Sequence, residues 1–226
     1  MRFLKDLLDI FYPNLCINCE NHLFSNEIIL CSNCKNDLPI VDDNDIFTTN
    51  ILKSLEVKKF SSLLYYERNT STQRLIHHLK YKKREDVGVF LGEWFSHKIR
   101  KHNLFKNIDY VIPVPLHKKK FKKRGYNQVS AFAKCIAKQL NVSYDESLLV
   151  RVSDNSTQTK KSRYDRYNES STKFTLLDTR FYEDKHILLV DDVITTGATL
   201  ESCVKALLKT KNISISIATM AYTLKV

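Results

Sequence analysis

The chain has 226 residues, which is enough for one α/β core with a small appendage or for two small domains. Its content of 43% hydrophobic and 27% charged residues is ordinary for a soluble globular protein, and no apolar stretch approaches the roughly 20 residues that cross a bilayer, which argues against a membrane span. The net charge of +11 favours polyanionic partners such as nucleic acid, an anionic membrane or a phosphorylated small molecule, although a lysine-rich solvated surface gives the same balance.

The first segment, MRFLKDLLDIFYP, predicts a short amphipathic helix. Phe3, Leu7 and Phe11 fall on one stripe at helical spacing, and Pro13 ends the pattern. Charged residues interrupt the segment and no small-residue cleavage site follows it, so a secretory signal is disfavoured. We therefore expect a cytoplasmic protein.

Two CxxC pairs, CINC and CSNC, follow with eleven residues between them. Two such turns bring four thiolates into the tetrahedral arrangement that a structural Zn²⁺ ion takes, with no open position for catalysis. A disulfide framework is disfavoured without an export signal, and redox CxxC motifs usually occur singly. His22 is an alternative ligand, while Cys135 and Cys203 are expected to pack on helix faces. The predicted zinc ligands are Cys16, Cys19, Cys31 and Cys34.

The composition of the chain divides it into three regions. Residues 1–40 are expected to form the first helix and a small zinc ribbon, residues 41–59 a polar linker, and residues 60–226 an α/β domain. Strand-like and helix-like stretches alternate in the third region, which predicts a parallel sheet with helices on both faces. The predicted strands are 60–67, 109–115, 146–152, 186–190 and 212–224, and the predicted helices are 72–83, 86–102, 128–140 and 199–210.

A strongly basic stretch follows the strand that ends in PVP. The sequence LHKKKFKKRGYNQ (116–128) predicts a loop through six cationic residues, then Gly125 and a helix that begins near Asn127. Pyrophosphate carries several negative charges that Arg124 and backbone N–H groups can hold, so the loop suits that group. The individual lysines fit a flexible solvated loop, or contacts to a nucleic-acid phosphate backbone with little sequence preference. These lysines are Lys118, Lys119, Lys120, Lys122 and Lys123.

The segment ILLVDDVITTGAT (187–199) holds two adjacent carboxylates at the predicted carboxyl end of a buried strand, where open α/β sheets bind ligands. The turn after them opens a helix whose first N–H groups suit a phosphate, and Gly197 allows the backbone to approach closely. Asp191 and Asp192 can accept hydrogen bonds from vicinal hydroxyls and help to position Mg²⁺, so the segment predicts a ribose 5-phosphate site. An ordinary strand–turn–helix in which Thr199 caps the helix is the alternative.

The run ILLVDDVITTGAT resembles, position for position, the phosphoribosyl pyrophosphate (PRPP) signature of type I phosphoribosyltransferases. The resemblance implies a type I phosphoribosyltransferase-like α/β fold from about residue 60 to the last residue. It also implies that Asp191 and Asp192 contact the ribose hydroxyls of PRPP. The residues that would then hold its 5-phosphate are Thr195, Thr196, Gly197, Ala198 and Thr199.

Motifs along nearly the whole chain are similar to the ComF family of competence proteins, which join a zinc ribbon to a phosphoribosyltransferase-like domain. They are the cysteine pairs, LKY (79–81), PVP…RGYNQ (113–128) and STQTKKSRYDRYNES (156–170). The resemblance implies a role in natural transformation, acting on imported single-stranded DNA in the cytoplasm. The residues that carry the family's Gln-plus-Arg segment are Gln158, Arg163, Arg166 and Asn168.

Two functions of different classes are compatible with these motifs. The first is a DNA-handling protein that binds PRPP or a related ribose phosphate without turnover. The second is an active transferase in which a nitrogenous acceptor displaces pyrophosphate, with Arg124, Asp191 and Asp192 as catalytic residues and Mg²⁺ beside the departing group. A third interpretation makes the ribbon and first helix a docking module for a partner such as a helicase. The PRPP contacts expected outside segment 187–199 are Pro113, Val114, Arg124, Gly125 and Gln128.

Overall fold

A computed structural model describes residues 13–42, 56–151 and 174–223 of the chain. The predicted amino-terminal helix, most of segment 41–59 and the whole of segment 156–170, with Gln158, Arg163, Arg166 and Asn168, lie outside these ranges. In the three described ranges, no helix is long and apolar enough to cross a lipid bilayer.

The elements follow the predicted alternation of strands and helices. The helices are α1 (Ser32–Asn36), α2 (Ser71–Tyr81), α3 (Glu85–His102), α4 (Lys118–Arg124), α5 (Ser130–Leu140) and α6 (Ala198–Leu207). The strands are β1 (Lys59–Tyr65), β2 (Tyr110–Pro113), β3 (Ser143–Tyr144), β4 (Leu149–Arg151), β5 (Phe174–Leu176), β6 (His186–Ile194) and β7 (Ser214–Tyr222). The four helices predicted in the α/β domain are confirmed as α2, α3, α5 and α6, with ends that differ by at most three residues.

Five strands form one parallel sheet in the order β1-β7-β6-β2-β3, which confirms the predicted fold class. β6 lies at the centre of this sheet, and its residues 187–190 are fully buried. Consecutive apolar residues are what a strand covered on both faces requires. The strand predicted at 146–152 is confirmed only for residues 149–151, and this strand, β4, pairs antiparallel with β5 outside the main sheet.

The side chains of β6 alternate between two hydrophobic layers. Leu188 and Val190 pack in a cluster with residues of α2, α3 and α5, while Ile187 and Leu189 pack in a second cluster with residues of α6, β4 and β5. Helices therefore cover both faces of the sheet, as predicted. Cys203 of α6 is fully buried in the second layer, which agrees with its expected packing role.

The cysteine-containing segment packs directly against the sheet domain. The Val41 N–H donates to the Leu63 carbonyl at 3.0 Å, and the Tyr65 N–H donates to the Pro39 carbonyl at 2.8 Å. Residues 39–41 therefore run antiparallel along the edge strand β1. Two of the four cysteines also belong to the same hydrophobic cluster as α2 and α3, so the position of the ribbon is fixed by contacts with the core.

Candidate functional site

Strand β6 continues through the two aspartates. It ends at Ile194, and Asp191 pairs with Thr219 of β7, so the predicted strand end at residue 190 was wrong. The apolar, β-branched residues after the aspartates extend the pairing with β7. On its other side β6 pairs with β2, and this pairing stops at Pro113, which lies opposite Val190. Within the described ranges, no strand pairs with this side of β6 beyond Val190. The two carboxylates therefore lie at the carboxyl edge of the sheet, where one strand reaches past its neighbour.

The Asp191 carboxyl is buried at this edge. Its Oδ1 atom accepts the backbone N–H of Asp192 at 2.8 Å. Burial raises the pKa of Asp191 above its usual range, and the neighbouring charge of Asp192 raises it further, because both effects disfavour the ionised form. A ligand that donates hydroxyl groups or brings a cation would stabilise that ionised form.

Two donors from other elements hold Asp192. Its Oδ2 atom lies 2.9 Å from the Nζ atom of Lys80 on α2, and it accepts a hydrogen bond of 2.7 Å from the Nε2 atom of Gln128. The Gln128 side-chain oxygen in turn accepts a hydrogen bond from the Arg124 guanidinium. One polar network therefore joins α2, α4, the residues before α5 and the central strand.

Lys80 was not among the predicted site residues, although it lies in the LKY motif. The sequence signal that could have pointed to Lys80 is its position directly after the buried Leu79, at the carboxyl end of an amphipathic helix. Such a residue ordinarily faces solvent, and no local pattern places the end of α2 beside β6. The contact with Asp192 depends on how two elements far apart in sequence pack together.

The turn between β6 and α6 exposes the amino end of a helix. Gly197 has a φ of +78°, which residues with a side chain rarely adopt, and it directly precedes α6. No side chain caps this helix, and its N-cap residue is Gly197. The alternative interpretation, in which Thr199 is the capping residue, is therefore wrong. Thr195 and Thr196 are exposed. The N–H groups of the first turn lack partners within the helix and attract anions.

The basic stretch is a helix, α4, so the loop predicted there was wrong. Lysine and arginine favour helix, and the His117 ring caps the first turn by accepting the Lys119 N–H at 3.1 Å. Gly125 ends the helix with a φ of +89°. The space around a Cβ atom at Gly125 is open, so the positive φ is what this position requires of a glycine.

Pro113 and Val114 lie where β2 leaves the sheet. Pro113 is opposite Val190 in the register of β2 and β6, and the Val114 N–H donates to the Val190 carbonyl at 2.8 Å. This backbone is one strand spacing, about 4.8 Å, from the strand that holds the aspartates. The structure thus brings these residues, with Arg124 and Gln128, to the same edge of the sheet.

The four cysteines converge at the other end of the chain. Their Sγ atoms all lie within 4.8 Å of one another, and all are free thiols; they belong to Cys16, Cys19, Cys31 and Cys34. A tetrahedral site with Zn–S bonds of about 2.3 Å places its sulfur atoms roughly 3.8 Å apart, and the sulfur atoms of Cys19 and Cys31 are 3.7 Å apart. The group therefore fits a metal ion of the kind that four thiolates bind. The alternative ligand His22 lies outside it.

The chain is similar in sequence to several known proteins. The phosphoribosyl transferase domain family matches residues 130–225. The DNA utilization protein YhgH of Salmonella typhimurium is 26% identical over 153 residues, 66% of this chain and 66% of that protein, so the chain spans just under two thirds of it. Competence protein F of Haemophilus influenzae is 34% identical over 111 residues, 49% of this chain and 48% of that protein. Competence protein ComFC of Bacillus subtilis is 27% identical over 213 residues, 91% of this chain and 83% of that protein. The chain is ComFC-like.

The ComFC alignment extends well beyond the matched transferase domain, and the resemblance predicted from the motifs is confirmed. The matched region of the ComFC-like chain contains β6, the turn and α6. Among solved structures, the allosteric regulatory enzyme of purine biosynthesis is 18% identical with a TM-score of 0.43, over 62% of this chain and 29% of that chain.

Proposed function

We propose that this ComFC-like chain binds PRPP together with Mg²⁺ at the carboxyl edge of its sheet. The main support is that two buried carboxylates and an uncapped helix terminus adjoin at the end of one strand. Asp191 and Asp192 accept hydrogen bonds from the ribose hydroxyls. The 5-phosphate meets the backbone N–H groups and threonine hydroxyls of residues 195–199, at the positive end of α6.

The pyrophosphate of PRPP belongs on the basic side of the network. Arg124 holds it by charge-assisted hydrogen bonds, and Gln128 positions Arg124 relative to the ribose site. Pro113, Val114 and Gly125 shape the backbone beside it. Mg²⁺, when bound, neutralises part of the phosphate charge, and the nearby carboxylates help to position it.

The proposed biological role is in natural competence, where the chain handles incoming single-stranded DNA in the cytoplasm. The competence and DNA-utilization names of its relatives support this role, and so does the net charge of +11. The exposed lysines of α4 supply contacts to the DNA phosphates. The ribbon, closed by a structural zinc ion at its four cysteines, offers a docking surface for a partner such as a competence helicase.

An active phosphoribosyltransferase is the second candidate, supported by the hydrogen-bonded network that joins Arg124 to Asp192 through Gln128. A nitrogenous acceptor would attack C1 of the ribose, the C1–O bond to pyrophosphate would break, and pyrophosphate would leave with the bonding electrons. Asp191 and Asp192 would hold the ribose as it gains positive character, and Arg124 would stabilise the charge on the leaving group. Assays of pyrophosphate release from PRPP, with DNA, free bases and amines as acceptors, distinguish turnover from binding alone.

PRPP with Mg²⁺ is expected to raise the melting temperature of the wild-type chain. A ligand present at 100 times its Kd stabilises the native state by about 2.7 kcal/mol, which corresponds to roughly 5–10 °C for a chain of this size. The measurement is a thermal scan with Mg²⁺ alone, with Mg²⁺ and PRPP, and with Mg²⁺ and inorganic phosphate. An absent PRPP shift, or an equal shift with inorganic phosphate, would contradict a site built for PRPP.

A further inference from the structure

A basic cleft opens beside the carboxylate of Asp192. It has a volume of about 220 Å³ and lies between the carboxyl ends of α2 and α4. Five of its six lining side chains are cationic, so its composition selects anions. The lining residues are Lys80, Tyr81, Lys83, Lys120, Lys123 and Arg124.

Only one face of α4 contributes to this cleft. Lys123 and Arg124 follow Lys120 by three and four residues, which places them on the same side of the helix as Lys120. Lys118 and Lys122 lie about 160° around the helix from Lys120, on the opposite side. The lysine run therefore consists of two surfaces, of which one is directed at the cleft and the other is not.

Contacts behind the cleft hold its two walls together. The Tyr126 hydroxyl, just after α4, donates a hydrogen bond to the Leu79 carbonyl of α2. Across the opening, the Arg124 guanidinium carbon lies 5.8 Å from the centre of the Tyr81 ring, a distance at which a cation and an aromatic face attract each other. The spacing between the cations of α2 and those of α4 is thereby fixed before any ligand binds.

Tyr81 presents an aromatic surface within this positive environment. The residue is 64% exposed, and the centre of its ring lies 5.0 Å from that of His77. A positively charged groove with an exposed aromatic ring is the arrangement that binds single-stranded nucleic acid, because phosphates meet the cations and a base stacks on the ring. The cleft provides both parts within one small volume.

The same cations lie within reach of the pyrophosphate of PRPP. Lys80 contacts Asp192 directly, and Arg124 reaches it through Gln128. In PRPP the pyrophosphate is attached to C1, the carbon next to the one that bears the 2-hydroxyl. A ribose whose hydroxyls bond to Asp192 therefore directs its pyrophosphate to the mouth of the cleft. Its hydroxyls also compete with Lys80 for the carboxylate, which frees the ammonium group to meet the phosphates.

We propose that PRPP and single-stranded DNA exclude each other from this cleft, so that PRPP regulates DNA binding by the chain. The inference rests on the proposed function, which assigns both ligands to the protein, and deepens it by making them competitors for one set of cations. Two polyanions cannot both be neutralised by the same few side chains, and they repel each other at this distance. Because linkage is reciprocal, each ligand lowers the affinity for the other by the same factor.

The test is a titration of a fluorescent oligo-dT with the full chain at fixed ionic strength, followed by anisotropy. Saturating PRPP with Mg²⁺ is expected to raise the Kd for the oligonucleotide at least tenfold, and saturating oligonucleotide to raise the Kd for PRPP by the same factor. Mg²⁺ with sulfate at equal ionic strength is the reference, because salt alone weakens DNA binding. Unchanged DNA affinity while PRPP is bound overturns the inference and leaves the proposed function standing. Failure of PRPP to bind overturns both.

Two matched pairs of substitutions locate the competition. Lys120→Met with Lys123→Met removes two cations of the cleft, and Lys118→Met with Lys122→Met removes the same charge from the opposite face of α4. The first pair is expected to weaken DNA binding at least tenfold and to reduce the competition factor below about threefold. The second pair is expected to keep the full competition factor. Equal effects of the two pairs would overturn the inference, since they would indicate general charge attraction.

A change at Tyr81 separates base stacking from phosphate binding. Tyr81→Leu keeps every cation of the cleft, so the Kd for PRPP is expected to change less than about threefold. The Kd for oligo-dT is expected to rise about fivefold or more, because stacking on an aromatic ring contributes at this level. An unaltered DNA affinity, with a melting temperature equal to that of the wild type, would remove DNA from the cleft and overturn the inference.

Discussion

Replacing Cys34 by serine is expected to abolish metal binding and to unfold the ribbon. Residues 13–42 form a segment too short to build a hydrophobic core of its own, so a bound metal is expected to supply much of the free energy that orders it; for structural zinc in small domains the apparent value is about 10–16 kcal/mol. A serine hydroxyl does not replace the buried thiolate as a ligand. Metal analysis is expected to fall from about one zinc per wild-type chain to nearly none in Cys34→Ser.

The tryptophan of the chain reports the structural part of this prediction. Trp94 is the single tryptophan, and the Nζ atom of Lys35, on α1 of the ribbon, lies 5.4 Å from the centre of its ring. Loss of the ribbon removes this cation and changes the fluorescence of Trp94. Cys135→Ser is the matched control, because Cys135 is a half-buried thiol outside the four-cysteine group, and it is expected to keep both zinc and the wild-type spectrum. A folded wild-type chain without metal would contradict the assignment.

The parts of the fold that depend on local sequence were predictable. Four consecutive apolar residues at 187–190 specify a strand buried on both faces, and the structure has that strand at the centre of the sheet. Two CxxC turns specify convergent thiols whatever the rest of the chain does, and the four sulfur atoms do converge. In both cases, the residues that decide the structure lie within one short segment.

Two local errors have different physical causes. Strand β6 extends four residues further than predicted because β7 offers pairing partners up to Tyr222. The two aspartates in the sequence do not reveal this pairing. The charge of the basic stretch predicts a solvated loop, although lysine favours helix when the charges are solvated. Here the sequence did contain the necessary signals, since His117 caps the helix and Gly125 ends it.

The contact between Lys80 and Asp192 could not be predicted in the same way. These residues are far apart in the chain, and the pairing requires that the end of α2 be packed over the carboxyl edge of β6. Helical spacing places Leu79 in the core but says nothing about which strand the following residue meets. The same limit applies to the cleft, whose walls come from two helices that no sequence pattern connects.

Asparagine in place of Asp191 is expected to abolish the thermal shift caused by PRPP and, at the same time, to raise the melting temperature of the unliganded chain. Burial raises the pKa of Asp191 above its unfolded value. A group of this kind contributes stability that is fully present below its unfolded pKa, near 3.9, and is lost as the pH rises through the folded pKa. Near neutral pH, the wild-type chain therefore carries a destabilising carboxyl group that asparagine lacks.

The size and the pH dependence of the effect can both be measured. A tenfold change in the protonation equilibrium corresponds to about 1.4 kcal/mol, and 1 kcal/mol shifts the melting temperature of a chain of this size by roughly 2–4 °C. We expect Asp191→Asn to melt about 3 °C or more above the wild type at pH 8, with a difference that shrinks as the pH is lowered toward 5. Thermal scans of both chains over this range provide the comparison.

Asp192→Asn is the matched control, because the two adjacent carboxyl groups differ in their side-chain partners. The Asp192 carboxylate already has partners in Lys80 and Gln128, so its replacement leaves the Lys80 ammonium without its counter-ion and is expected to lower the melting temperature. Both variants are expected to lose the proposed ribose contacts and the PRPP shift. The two substitutions can thus be compared directly: a higher melting temperature for Asp191→Asn and a lower one for Asp192→Asn, with PRPP binding lost in both, would indicate that the Asp191 carboxyl serves ligand binding at a cost in the stability of the fold. If Asp191→Asn melted below the wild type at every pH, the carboxyl would have to be stabilising, and its proposed role would lose this support.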